Sequence, residues 1–353
     1  MKEIEAAGED DVLIQVAEVY DLALSVLTAA GLSQTQARPV ARVIADCERD
    51  ECRSHGLLRL PGCVSTAQHP KFVRDAEPVL EDVTPAVVRV DARNGYSLAA
   101  FEQGLPVLEQ KAKALGVAVL AINNCFHFSA LWPEIEAICT RNLVGLAMTP
   151  SHSWVAPAGA TRPIFGTNPL AFGWPRTGRQ PYVFDFATSV MARSDIAMAK
   201  LKGTSIPGGC GVDIDGNPST DPARVLEGAM WSFGGHKGAA IATMIELLAG
   251  PLIGDLTSSD SMAYDGDERA APFHGELVIA LDPKLLGNGQ DELNQARAEQ
   301  LFAGFADQSA RLPSERRYAA RARSDTQGVH VPKSLYNRIL AIAETGVDSR
   351  DKL

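Results

Sequence analysis

The sequence predicts an α/β fold with a largely parallel or mixed sheet, preceded by a helical segment. Two observations carry this. From residue 86 onward, strand-sized apolar runs alternate with helix-sized amphipathic ones, the pattern of an α/β domain. Before that point the apolar spacing is helical. At 353 residues the chain is too long for one ordinary core, so two domains, or one large domain with excursions, are expected.

The opening MKEIEAAGED is acidic and has no apolar stretch, so it reads as a frayed tail and not as a signal peptide. Residues 12–30 should form a helix: Val16, Val19, Ala23, Val26, Leu27 and Ala30 recur at helical spacing, and Gly31 stops it. Ser33 with Gln36 has the form of a capping box, opening a second helix to about Glu48. The run RSHGLLR at 53–59 then falls in a loop past a helix end, and Pro61-Gly62 marks another turn. Strands are expected at 87–91, 116–123, 144–148, 182–185 and 275–282. Helices are expected at 99–115, 129–139 and 236–249, with a more exposed one at 290–304. Residues 252–272 read as a mobile surface loop.

Composition narrows the function classes. With 46% hydrophobic and 22% charged residues, the chain falls far from the disordered regime. Its apolar runs are strand-sized and cannot span a bilayer. A net charge of −10 argues against a nucleic-acid partner, whose phosphates need a basic footprint. Cys47, Cys52, Cys63, Cys125, Cys139 and Cys210 show no CxxC spacing. They are expected as reduced thiols in a cytosolic protein, with no zinc site and no other metal.

Two phosphate-binding signatures are absent. No GxGxxG joins a strand to a helix, and GGHKGAA at 234–240 has the wrong spacing for a P-loop. RSHGLLR instead places a hydroxyl, an imidazole and a guanidinium within six residues, after the charged run 46–51. Ser54 and His55 fit proton handling, with Arg59 as anchor for an anion; they also fit a helix-end cap and a surface ion pair.

Six stretches, in order, carry a resemblance: RSHGLLRLPG at 53–62, NNCFHFSALWPE at 123–134, GTNPLAFGWP at 166–175, FDFATSVMARSD at 184–195, FGGHKGAA at 233–240 and RLPSERRY at 311–318. Together they resemble the malate/L-lactate dehydrogenase family of NAD(P)-dependent oxidoreductases lacking the Rossmann fingerprint, and within it the branch that reduces cyclic imino acids. The resemblance runs from about residue 12 to 345.

It implies a relay of Ser54, His55 and Asp195, in which the imidazole gives a proton to substrate. It implies that Arg59 grips the substrate carboxylate, as a bidentate guanidinium can, and that Thr167 is a second substrate contact. Cofactor contacts are implied at His127, Phe128, Ser129, Ala130 and Leu131, at Asp185, Phe186 and Ala187, and at His236 and Lys237. The first group joins a strand end to a helix start, where backbone N–H groups attract phosphate. The run Arg311, Leu312, Pro313, Ser314, Glu315, Arg316 and Arg317 supplies three cations that suit the 2′-phosphate of NADP. The stretch Leu131-Trp132-Pro133 reads as a bulky apolar wall against a substrate ring.

The implied architecture is a non-Rossmann three-layer α/β/α cofactor domain with a mixed sheet over 124–300. A substrate and dimerisation domain combines 1–123 with 301–353. The implied reaction is hydride transfer from NADPH (NADH more weakly) to a cyclic imine bearing a carboxylate, giving L-proline or L-pipecolate. A cytoplasmic homodimer is implied, with no nucleic-acid or membrane partner. The rival within the family is an NAD(P)-dependent 2-hydroxy acid dehydrogenase of malate or lactate type. A non-catalytic binding protein on the same fold is disfavoured because Ser54, His55, Arg59 and Asp195 are all present.

Overall fold

The computed structural model describes residues 11–266 and 268–345, so the acidic tail lies outside the described residues. The chain forms two compact units. One comprises the chain up to Glu77, Arg269–Ala271 and the chain from Pro313 onward; the other comprises Pro78–Glu268 and Pro272–Leu312.

The first unit begins with β1 (Asp11–Ile14), α1 (Val16–Ala29), α2 (Gln34–Arg49) and α3 (Leu60–Ala67). The helix expected over 12–30 therefore splits, its first residues pairing as a strand. Val19, Ala23, Val26 and Leu27 form the buried stripe of α1. Ser33 caps α2, its hydroxyl accepting from Gln36 N at 3.4 Å, which forms one half of the expected capping box, while the Gln36 amide donates to Ala76 O at 2.7 Å.

The second unit holds β2 (Val79–Thr84), β3 (Val87–Asp91), α4 (Ser97–Leu115), β4 (Val117–Phe126), α5 (Trp132–Cys139), β5 (Val144–Met148) and β6 (Val155–Ala156). Next come β7 (Leu170–Trp174), β8 (Tyr182–Phe186), α6 (Arg193–Leu201), β9 (Gly211–Val212), α7 (Pro222–Glu227), β10 (Ala229–Trp231) and α8 (His236–Ala249). It closes with α9 (Ser258–Asp265), β11 (Phe273–Leu281), α10 (Pro283–Leu286) and α11 (Asp291–Ala306). The chain then returns to the first unit as α12 (Glu315–Gln327), β12 (Val329–Pro332) and α13 (Lys333–Thr345), with β12 antiparallel to β1.

Seven strands of the second unit form one sheet in the order β2-β3-β4-β11-β5-β7-β8. It is mixed: β3 and β4 run parallel, and every other neighbouring pair is antiparallel. The late strand β11 enters between β4 and β5 and opposes both, so of the two expected forms the sheet takes the mixed one. Ala121, Met148 and Leu277 of three adjacent strands pack with Ile245 and Ala249 of α8 in one apolar cluster. The register of β11 on β4 slips at one point, with His274 opposite Cys125 and Glu276 opposite Ile122. Asn123 and Asn124 thus oppose the single residue Gly275, a bulge with Asn124 in the left-handed region at φ 54.

Three expectations are corrected here. The boundary falls after Glu77 and not after 123, because β2, β3, α4 and β4 belong to one sheet system. The return falls after Leu312 and not after 300: α11 continues across that point, and its Phe302 stacks on Tyr182 of β8 at 5.1 Å. The stretch 252–272 contains α9, capped by Thr257 and Asp260, with Ser258 and Ser261 buried.

Candidate active site

The RSHGLLR turn is held by the acidic run before it. α2 ends at Arg49, and Arg53–His55 and Leu57–Arg59 follow as two short 3-10 turns. Asp50 is buried and ion-paired with Arg49 (2.8 Å), Arg317 (3.1 Å) and Arg321 (2.5 Å). Glu51 pairs with Arg323 at 2.7 Å. Glu48 is buried, and its Oε1 accepts from Leu57 N at 2.7 Å. A Cβ on Gly56 would stand 2.4 Å from that oxygen, so only glycine fits between the two turns. Burial raises the Glu48 carboxyl to about 7, against the Leu57 N–H bond and the Arg53 charge.

That shift has a consequence for stability. The folded pKa lies above the ordinary 4.5, so this group's contribution is full below about pH 4.5 and lost as pH rises through about 7. Glu48→Gln, which keeps the acceptor for Leu57, should gain on the wild type by on the order of 3 kcal/mol between pH 5 and 8. Urea unfolding at both pH values tests this; a pH-independent difference would remove Glu48 as the titrating group.

On this frame Ser54 Oγ lies 3.0 Å from His55 Nδ1, with both residues half-buried. Arg59 makes no ion pair with the acidic run, and its buried Nε has no hydrogen-bond partner. The surface-pair reading of Arg59 is thereby set aside.

Asp195 belongs to the second unit, exposed in the first turn of α6. Thr167 sits there too, half-buried, its carbonyl accepting from Thr188 N and Oγ1. Its neighbours are held by a buried carboxylate that the sequence reading missed. Glu246 accepts from Asn168 Nδ2 at 2.8 Å, Ser258 Oγ at 2.5 Å and Ser258 N at 2.8 Å. Asn168 adopts φ 36.

The 127–131 stretch departs from its expected geometry. α5 starts at Trp132, not at 129. The amides of Leu131 and Trp132 already donate to Asp185 Oδ2, at 2.8 and 3.0 Å. The anion at this helix start is thus the protein's own, which joins two stretches expected to contact cofactor separately. Leu131 and Trp132 are core residues, 0% and 4% exposed, so they cannot form the expected apolar wall. Phe186 stays exposed beside Phe233 at 5.7 Å.

A freer helix start lies at α8, whose N-terminus carries no side-chain cap. Gly234 and Gly235 lead into it at φ 58 and 60, with nothing within 4 Å of where a Cβ would stand. They border a cavity of about 290 Å³, also lined by Val190, Trp231 and Ser232. His236 and Lys237 are exposed at the first turn. A helix start without a side-chain cap, open glycine backbone and an exposed cation fit a pyrophosphate.

The arginine run is divided. Arg311 and Arg316 are exposed, whereas Arg317 is 6% exposed and committed to Asp50. Two of the three expected phosphate-facing cations remain.

A family model described as malate/L-lactate dehydrogenase matches residues 14–340. The chain belongs to the malate/L-lactate dehydrogenase family. Within this family, a Δ1-pyrroline-2-carboxylate reductase from Pseudomonas fluorescens is 56% identical over 93% of this chain and 98% of that protein. A Δ1-pyrroline-2-carboxylate/Δ1-piperideine-2-carboxylate reductase from Pseudomonas aeruginosa is 53% identical over 93% and 98%. The crystal structure of Δ1-piperideine-2-carboxylate reductase from Pseudomonas syringae pathovar tomato superposes with a TM-score of 0.90 at 39% identity, covering 94% of this chain and 99% of that one.

Proposed function

We propose that this chain is an NADPH-dependent reductase of cyclic imino acids, converting Δ1-pyrroline-2-carboxylate to L-proline and Δ1-piperideine-2-carboxylate to L-pipecolate. The observation that carries the reading is Arg59: a guanidinium with a buried, unpartnered Nε, four residues from a Ser–His pair in contact. The activities of the named relatives support it.

Arg59 binds the substrate carboxylate, and Thr167 is the second contact. His55, held at Nδ1 by Ser54 and completed as a relay by Asp195, keeps or gives the proton on the imine nitrogen. NADPH, when bound, supplies the hydride. A protonated imine is already electrophilic, so these residues chiefly fix geometry and charge. The cofactor lies against the stretch from His127 to Ala130, Asp185–Ala187 and His236-Lys237, with Arg311 and Arg316 toward the 2′-phosphate. In this reading the second unit's three layers form the cofactor domain, and the protein works as a cytoplasmic homodimer. The free state of all six cysteines suits a reducing compartment.

The test is a panel of cyclic imines and 2-keto acids with NADPH and NADH. Both classes share one carboxylate, so discrimination must come from the reacting group and the ring. kcat/KM for either imine is expected to exceed that for pyruvate or oxaloacetate by at least about 10²-fold. Equal turnover of the keto acids would move the chain to the 2-hydroxy acid dehydrogenases.

The divided arginine run makes a second test. Arg311→Ala or Arg316→Ala should raise KM for NADPH more than KM for NADH. Arg317→Ala should instead destabilise the fold by about 1–3 kcal/mol, through loss of its bond to Asp50. Equal effects on both cofactors would reduce Arg311 and Arg316 to a solvated face.

A further inference from the structure

Beside the 127–131 stretch, three elements send polar side chains into one dry spot. His127 follows β4, Glu134 stands in the first turn of α5, and Glu276 lies on β11 just beyond the bulge. One nitrogen and two carboxylate oxygens, one from each residue, lie within 4.8 Å of one another, and all three residues are buried. Glu134 is 2% exposed and Glu276 0%. None of their four carboxylate oxygens takes a donor from elsewhere in the protein, although the two carboxyls lie close enough to share a proton.

Polar atoms so deeply buried are almost always satisfied, so this cluster calls for an occupant. Among the described residues the only ion-pair partner of either carboxylate is His127, opposite Glu276. Asp185 cannot share its own compensation, because one of its oxygens already takes the amides of Leu131 and Trp132. Two uncompensated carboxylates in a core are costly, and buried charges are ordinarily paired or bound to metal. The spacing leaves room for an ion. His127 Nε2 stands 3.6 Å from Glu276 Oε2, beyond a good N–H···O bond. Neighbouring ligands around a first-row ion, with bonds near 2.0–2.1 Å, are separated by about 3.0–3.4 Å.

We propose that His127, Glu134 and Glu276 form a site for a divalent first-row cation, zinc or manganese. Two carboxylates neutralise the ion, and the imidazole nitrogen suits either metal. Three protein ligands leave room for a water to complete the shell. The ion ties the end of β4 and the start of α5 to the central strand β11, and so fixes the 127–131 stretch between them. The expectation of no metal rested on cysteine spacing; this set uses no cysteine, and its ligands lie too far apart in sequence to form a motif.

The experiment is elemental analysis of tag-free protein purified without chelator, beside Glu276→Gln. About one equivalent of zinc or manganese per chain is expected in the wild type, falling at least roughly tenfold in the variant. Wild-type protein stripped by a chelator should regain its thermal midpoint when about one equivalent of either ion is returned. These readouts do not depend on turnover. Wild type that carries neither ion and takes up neither at micromolar concentration would overturn the site, leaving the carboxyls to share a proton. Unchanged metal content in folded Glu276→Gln would overturn it equally, by placing the ion elsewhere.

Discussion

His55→Ala is expected to lower kcat by roughly 10²–10⁴-fold, the range for loss of a general acid, while NADPH still binds. Among ordinary side chains, imidazole alone gives and recovers a proton near neutral pH without a large perturbation. Here it is placed by structure: the turn carrying it is pinned by Glu48 to Leu57 N and braced by Asp50 through three arginines. Ser54 Oγ at 3.0 Å holds the Nδ1 side of the ring. The proposed cofactor contacts lie mainly in the second unit, so deleting one imidazole from the first should leave them intact. A further consequence separates proton donation from general damage. A cyclic imine protonated in solution brings its own proton, so the deficit should shrink as pH falls toward the imine's pKa. Steady-state rates across pH, beside a fluorescence titration of NADPH, read both. Turnover near wild type, or a deficit constant with pH, would take the proton away from His55.

Much of the local fold was legible in the sequence. Local signals survived best: Ser33 at the start of α2, the bounds 144–148 of β5 and 236–249 of α8, and the contact of Ser54 with His55. Each depends on neighbours in sequence, where spacing is informative. What failed depends on partners far along the chain. Residues 12–14 read as helix because their pairing strand lies more than 300 residues away, at 329–332. The arginine run read as three like cations because Asp50, which captures Arg317, lies 267 positions earlier. The 127–131 stretch read as a free helix start because Asp185, 54 positions on from Leu131, fills it. Glu246 and Glu276 gave no signal, since each lies in an ordinary apolar element whose role appears only when the fold closes around it.

Arg59→Met is expected to move activity and stability in opposite directions. In the protein as folded, Arg59 Nε is buried and has no hydrogen-bond partner, a state that costs about 1–3 kcal/mol for a donor of this kind. Methionine keeps much of the apolar stem and removes the unmet donor, so the unfolding midpoint should stay level or rise. The substrate carboxylate loses its fork: a charge-assisted, bidentate contact is stronger than a neutral hydrogen bond and fixes the plane of the anion. Removing one partner of such a pair costs about 2–5 kcal/mol, so kcat/KM should fall roughly 10²–10³-fold. Arg59→Lys, which keeps the charge and loses the fork, should fall between. Because imines and keto acids share the carboxylate next to the reacting carbon, the loss should be similar across the panel. A fall confined to one class would show that Arg59 reads the reacting group. A fall in stability matching the fall in activity would show that it only braces the turn.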